Sequence, residues 1–234
     1  FPNFEVDYWT YLSQPTIWVL ILFLLIVDFF LAMIGQVNLM IGRGNIAKMM
    51  SGKFYEPKEE QRIFMFLDLQ SSTTVAEKIG HHEFSRLIQD CFNDLAVVEN
   101  YGAEIYQYVG DEAVLTWTTK GLNEGQCILS YFAFVNRLNS RKDYYLSTYG
   151  HLPFFKAGMH IGMATVSEVG KNKREIAYHG DALNTAARIQ SLCNDLKKGL
   201  LLSSELKEKL SDISNIQMES MGTHLLKGKE NQVD

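Results

Sequence analysis

The run RIFMFLDL (residues 62–69), followed by SSTTVAEKIG (71–80), decides the fold class. The first stretch is short, apolar and rich in aromatic and branched residues, the pattern of a buried strand, and it ends in the carboxylate of Asp68. The second opens a helix. HHEFSRLIQDCFNDLAVVENYG (81–102) continues helical, with Phe84, Leu87, Ile88, Cys91, Phe92 and Leu95 on one face. Gly102 is the expected stop, because a helix C-cap needs φ > 0. EIYQYV (104–109) and EAVLTW (112–117) read as two strands around the two-residue turn Gly110-Asp111. Leu122 to about Lys142 reads as helix, and PFFKAGMHIGMATVSEV (153–169) is strand-rich. REIAYH (174–179) is a further strand, DALNTAARIQSLCN (181–194) a helix, and LLLSSELKEKL (200–210) a strand with a capped helix. The order β-α-β-β-α-β followed by more α and β predicts an α+β fold: a ferredoxin-like βαββαβ core with an α/β extension.

Upstream the chain changes character. From Thr16 to Gly35 it reads TIWVLILFLLIVDFFLAMIG, where all but Thr16, Asp28 and Gly35 are apolar and Asp28 is the only charge. At about 1.5 Å per residue this is roughly 30 Å of helix, enough to cross a hydrocarbon core. A signal peptide has a basic flank before a shorter apolar region, whereas Glu5 and Asp7 precede this one. The stretch after it carries Arg43, Lys48 and Lys53, so the positive-inside tendency predicts a cytoplasmic C-terminal part. The expected organisation is an extracytoplasmic flank (1–15), a transmembrane helix (16–35), a coupling helix and linker (36–60), and a catalytic domain (61–234). Val37, Met40, Ile41, Ile46, Met49 and Met50 give the coupling segment near-helical apolar spacing, interrupted by glycines, and Pro57 closes it. A start at Phe1 instead of Met is the mark expected of a fragment or processed form.

Composition excludes several classes. The 234 residues are 47% hydrophobic and 21% charged, which is ordinary globular usage. A net charge of −5 argues against a general nucleic-acid binder, since nothing bulk-basic is available to neutralise phosphates. The 3 cysteines are widely spaced with no CxxC, so neither a disulfide framework nor a thiolate zinc site is expected. There is no GxxxxGK[ST], GxSxG or HExxH. Phe64, Phe66, Tyr106, Tyr108 and Trp117 alternate along strands, as core and dimer-surface residues do, and are not read as base-stacking platforms.

The chemistry centres on two acids. Asp68 ends the first strand and Asp111 sits in the hairpin between the next two, an order that can make the carboxylates neighbours in the sheet. Adjacent carboxylates repel unless a cation lies between them, so hard-metal binding is their natural use. Two such ions clamp the attacking and leaving oxygens of an in-line phosphoryl transfer. Ser71, Ser72 and Thr73 lead into a helix whose free N–H groups favour phosphate oxygens, although Ser72 or Thr73 equally suits a plain N-cap.

FMFLDLQSST (64–73), YQYVGDEAVLTW (106–117), YHGDALNTAARIQ (178–190) and LKGKEN (226–231), in this order, resemble the catalytic domain of class III nucleotidyl cyclases, the adenylyl and guanylyl cyclase family. The resemblance implies a homodimer that converts a nucleoside triphosphate to a 3′,5′-cyclic nucleotide and pyrophosphate. Asp68 and Asp111 of one protomer, with the carbonyl of Leu69, would hold two Mg²⁺ or Mn²⁺ ions. Asn184 and Arg188 of the other would orient the ribose and stabilise charge on the α-phosphate. Lys227 would bind phosphate. Gln107 and Ala177 occupy the positions that read the base, where the family has Lys or Glu and then Asp or Thr. Ala177 offers the base no side-chain hydrogen bond, and Glu175 and His179 are its candidate substitutes on the same strand face. The absence of a Glu at Gln107 favours ATP over GTP. The same departure sustains a rival reading, a catalytically silent nucleotide-binding or dimerisation module. YVGDEAV (108–114) lacks the GG[DE][DE]F-like pattern of a dinucleotide-forming enzyme.

Overall fold

The computed structural model describes residues 12, 14–42, 45–119, 125–210 and 216–224. The chain divides into two compact units, Phe1–Lys53 and Phe54–Asp234. In the first, α1 (Pro15–Ile41) is a single helix that opens with proline, whose fixed φ suits the first turn. It is long and apolar enough to cross a membrane. Its side chains, Trp18, Phe23 and Phe29 among them, are exposed. The helix continues six residues beyond Gly35, so Val37, Met40 and Ile41 belong to it, and the short α2 (Asn45–Met50) follows Gly42. The split of apolar residues expected at residue 36 therefore falls at Gly42, whose φ of 91° ends the helix.

The second unit begins before residue 61. Phe54 is buried and its carbonyl accepts a hydrogen bond from the Glu168 N–H at 2.8 Å. The strand β1 (Lys58–Leu69) then enters the sheet four residues earlier than expected. Next come α3 (Ser72–Ile79), α4 (His81–Leu95) and a 3-10 turn over Ala96–Tyr101. Gly80 divides what reads as one helix into two, and Gly102 ends the run in the left-handed conformation, as its sequence position requires. The hairpin β2 (Glu104–Val109) and β3 (Glu112–Thr118) turns at Gly110-Asp111. The helical stretch after it is α5 (Gln126–Ser140) and, beyond Arg141, a separate α6 (Lys142–Tyr149). The expected start at Leu122 lies outside the described residues. β4 (Phe155–Val169), β5 (Glu175–His179), α7 (Asp181–Asp195), β6 (Leu200–Leu202) and α8 (Ser204–Lys209) complete the unit. The Ser203 side chain caps α8 by accepting from the Leu206 N–H.

Sheet order is β2-β3-β1-β4-β5, with β6 added parallel to β4. The first four strands have the ferredoxin-like arrangement, and β5, α7, β6 and α8 form the extension. β1 is central and buried on both faces, which is why it reads as an unbroken apolar run. Ile63, Met65, Leu67 and Leu69 face the main core with Leu87, Cys91, Leu95 and Phe134. Asp94 anchors that side: buried at 4% exposure, it accepts from Arg137 Nε at 2.8 Å, Arg141 Nη1 at 2.7 Å and the Tyr145 hydroxyl at 2.7 Å. A carboxylate so deep is tolerable only when its lone pairs are filled in this way.

The other face of β1 carries Arg62, Phe64, Phe66 and Asp68. There α7 lies directly on β4 because two glycines leave room: a Cβ at Gly158 would meet the backbone N and Cα of Gln190 and stand 2.6 Å from the Ala186 carbonyl oxygen. One at Gly162 would be 2.8 Å from Ala182 Cβ. The sheet curls so strongly that its two edges meet. Tyr106 on β2 and Tyr178 on β5 pack edge to face with ring centroids 4.9 Å apart.

Candidate active site

Asp68 stands at the end of β1, in register with Glu112 on β3 and Lys156 on β4. The β2–β3 turn brings Asp111 to the same place. Asp68 is held above the usual carboxylate range, first by burial and then by the negative charge of Asp111, while a hydrogen bond from Gln190 and the charge of Lys156 act the other way. Glu112 is pushed up to about 7 by burial and by the charges of Asp68 and Asp111. The strand order therefore does gather Asp68, Asp111 and Glu112 at one sheet end, close enough for the charge of Asp111 to bear on both of its neighbours. Glu112 went unremarked in the sequence, although its place directly after Asp111 in the hairpin is a signal that could have found it.

Among the described residues no group of three or more His, Cys, Asp or Glu side chains forms a metal cage by itself. The donor set present, two hard oxygen donors that repel each other, instead suits a divalent ion such as Mg²⁺ that completes its shell with water and substrate phosphates. The residues thus fit the metal ions expected of them. Leu69, whose backbone carbonyl was assigned to the same ions, ends β1 opposite Phe155.

The loop after Leu69 reaches α3 through Ser71, whose φ of 57° is left-handed and which caps the helix without a side-chain hydrogen bond. Ser72 and Thr73 lie inside the first turn and are not its cap. Their backbone N–H groups have no intrahelical acceptor and remain available at the helix N-terminus. A non-glycine residue in this conformation costs about 1–3 kcal/mol, a strain that the surrounding structure must hold in place.

α7 presents two different faces. Ala182, Ala186, Ile189, Gln190 and Cys193 are buried. Asn184 is exposed and Arg188 half-buried, one helical turn apart, and neither makes a side-chain hydrogen bond or ion pair among the described residues. Arg188 is thus brought next to Asn184 but not paired with Asp68 or Asp111 of its own protomer. Gln107 is exposed on β2, and Ala177 is buried on β5 opposite Ser167. Glu175 and His179, the candidate substitutes for Ala177, are exposed at the two ends of β5, and Glu175 pairs with Lys173 at 3.0 Å. Lys227 lies outside the described residues.

Sequence reasoning missed what links the strands that carry Gln107 and Ala177. The register of β2 against β3 slips at Tyr106, where Ile105 pairs with Leu115 and Gln107 with Val114. Such a bulge re-aims side chains. Tyr106 reaches across the curled sheet, and its hydroxyl accepts from the Tyr178 N–H at 3.3 Å. Nothing in YQYV announces a bulge.

A curled, largely antiparallel sheet in this order, with coupled acids at the end of its first strand and in the following hairpin, is the fold of the nucleotidyl cyclases. A bacterial light-regulated adenylyl cyclase superposes with a TM-score of 0.73 at 21% identity, covering 91% of this chain and 63% of that one. The guanylyl cyclase Cya2 does so at 0.67 and 17%, over 75% of this chain and 90% of that one. In sequence, the chain is 32% identical over 196 residues to adenylate cyclase 2 of Rhizobium meliloti and 29% over 182 residues to the photoactivated adenylate cyclase subunit alpha-like protein FB of Euglena gracilis. These matches cover 83% and 76% of this chain but only 54% and 18% of those proteins. Residues 54–234 match the family model of the adenylate and guanylate cyclase catalytic domain, and the chain belongs to that family.

Proposed function

We propose that this chain is a membrane-anchored class III adenylyl cyclase that acts as a homodimer, forming 3′,5′-cyclic AMP and pyrophosphate from ATP. The observation that carries the reading is the division of one protomer's site residues. Asp68 and Asp111 are coupled at one sheet end, while Asn184 and Arg188 stand on the outer face of α7, unpaired among the described residues. A protomer so built needs a second copy to bring acid and base halves together, and two-fold pairing makes two equivalent sites.

Asp68 and Asp111, with the Leu69 carbonyl, would hold two divalent ions, Mg²⁺ or Mn²⁺. Bound there, these ions supply Lewis acidity that favours the ribose 3′-alkoxide and neutralises phosphate charge. The N-terminal turn of α3, at Ser71, Ser72 and Thr73, receives phosphate oxygens through its backbone N–H groups. The partner's α7 contributes Asn184, which hydrogen-bonds the ribose, and Arg188, which meets the charge that builds on the α-phosphate as the 3′-oxygen attacks. The bond from phosphorus to the pyrophosphate oxygen breaks, and Lys227 takes a share of the charge on that leaving group. Gln107 can both donate to and accept from a purine edge, and the absence of a carboxylate at this position favours adenine over guanine. Residues 16–35 of the apolar α1 are the membrane span, residues 1–15 are its extracytoplasmic flank, and the basic residues that follow the span keep the catalytic unit cytoplasmic.

The test is product formation by the detergent-solubilised chain with Mn²⁺ and either ATP or GTP across protein concentration, with Asp68→Ala as the blank. Cyclic AMP that disappears in the blank, at a specific activity rising with protein concentration, supports the reading. Dimeric, Mn²⁺-supplied protein that gives no cyclic product from either nucleotide refutes it and leaves a silent nucleotide-binding or dimerisation module.

A further inference from the structure

Beneath α7, a cross-strand pair is roofed by two amides. Asp68 on β1 and Lys156 on β4 stand directly opposite each other. Gln190 Nε2 donates to Asp68 Oδ2 at 3.3 Å, and one helical turn on, Asn194 Oδ1 accepts from Lys156 Nζ. Lys156 is 4% exposed and Gln190 6%, while Asp68 is half-buried and Asn194 exposed, so each contact joins a buried partner to one that water reaches. The roof is fixed in height by Gly158, which lets the backbone at Gln190 rest on β4. Arg188 precedes Gln190 by two residues, which is about 200° around a helix, so the two side chains leave opposite faces of α7.

We infer that Gln190 is a positioning residue for the metal-binding carboxylate: its amide N–H holds Asp68 Oδ2 and leaves the other carboxylate oxygen directed at the cation. The inference rests on the reading of Asp68 as a metal ligand. A carboxylate has about four acceptor sites, so one bond from Gln190 consumes little of its capacity while fixing its rotation. Outer partners of this kind are worth about 10–100-fold in metal affinity. Helix α7 then has a part in both sites of the dimer, setting Asp68 within its own protomer and delivering Arg188 to the partner.

The experiment titrates Mn²⁺ into the full-length chain in detergent with 3′-deoxy-ATP, which lacks the attacking hydroxyl, and reads free Mn²⁺ by electron paramagnetic resonance. Gln190→Met keeps the length and volume of the side chain but removes the donor. Gln190→Ser, a smaller polar residue that falls short of Asp68, serves if the first variant fails to fold. Thermal melting accompanies both, and Asp68→Asn controls for the underlying reading. We expect Mn²⁺ to bind about 10-fold more weakly in the Gln190 variants. Cyclase turnover in the same variants should recover to within about threefold of the parent at saturating metal, because the ligand itself remains. Weakened Mn²⁺ binding in Asp68→Asn with parental binding in the Gln190 variants overturns the inference and leaves the proposed site standing. Parental Mn²⁺ binding in Asp68→Asn overturns both.

Discussion

The Tyr178 backbone N–H donates to the Tyr106 hydroxyl at 3.3 Å, joining β5 to β2 although these strands lie at opposite ends of the sheet order. Phe64 packs against the same Tyr178 ring at 5.7 Å between centroids, and the Arg62 guanidinium lies 4.9 Å from its centre. The strands thus tied are those that carry Gln107 and Ala177. Tyr106→Phe, losing only the hydroxyl, should cost about 1 kcal/mol in a denaturant melt. Tyr106→Ala should cost about 2 kcal/mol, because it also removes the ring that packs on Tyr178. If the contact also sets the base pocket, Tyr106→Ala narrows the ratio of kcat/KM for ATP to that for GTP, whereas a purely structural contact lowers stability and leaves the ratio unchanged.

A shared site has an arithmetical consequence. In the proposed homodimer, Asp68→Asn and Arg188→Ala would each disable both sites. Co-expressed in equal amounts, half the dimers are mixed, and each mixed dimer has one site with both lesions and one with neither. Activity should return to about a quarter of the parent value. Absence of recovery in a preparation shown to contain mixed dimers would place Arg188 in the site of its own protomer.

Gly158→Ala tests the seating of α7. The obstruction is backbone of Gln190 and Ala186, not the end of a flexible side chain, so the helix must lift off β4. We expect a loss of about 3 kcal/mol, measured by urea unfolding, at the upper end for overpacked cores. Gly150→Ala has open space around it and differs in kind. Its cost comes only from a φ of 65° and should stay near 1 kcal/mol.

All three cysteines are free and buried. Burial pushes the thiol of Cys91 up to about 12 and those of Cys127 and Cys193 up to about 11. At pH 8 each is therefore a neutral thiol, the unreactive form. Native protein should react with a thiol-directed reagent only as fast as it opens, and unfolding in guanidinium should release all three at once. Rapid native labelling of any one would show that its element opens locally.

How much of this was legible depends on range. The strand that ends in Asp68, the two-residue turn at Gly110-Asp111, the stop at Gly102 and the i, i+4 pair Asn184 and Arg188 are local: each follows from side-chain period or backbone chemistry within a few residues. Segment lengths were less legible. Val37 to Ile41 continue α1 because apolar periodicity does not say where a helix ends, and Gly80 divides a helix whose apolar face reads as continuous. Ser71, not Ser72 or Thr73, caps α3, since the choice turns on a left-handed backbone at a serine.

The sequence by itself determined the class of fold, the apolar N-terminal helix and the two acids, because these are written in hydrophobic period and in residue types a few positions apart. Only the tertiary structure decided that Glu112 joins those acids, that Gln190 and Lys156 flank Asp68, and that Tyr106 ties the two edges of the sheet. These contacts join residues far apart in the chain. They depend on strand register, on a one-residue bulge and on how far the sheet curls, quantities set by the packing of the whole core and by no local stretch of sequence.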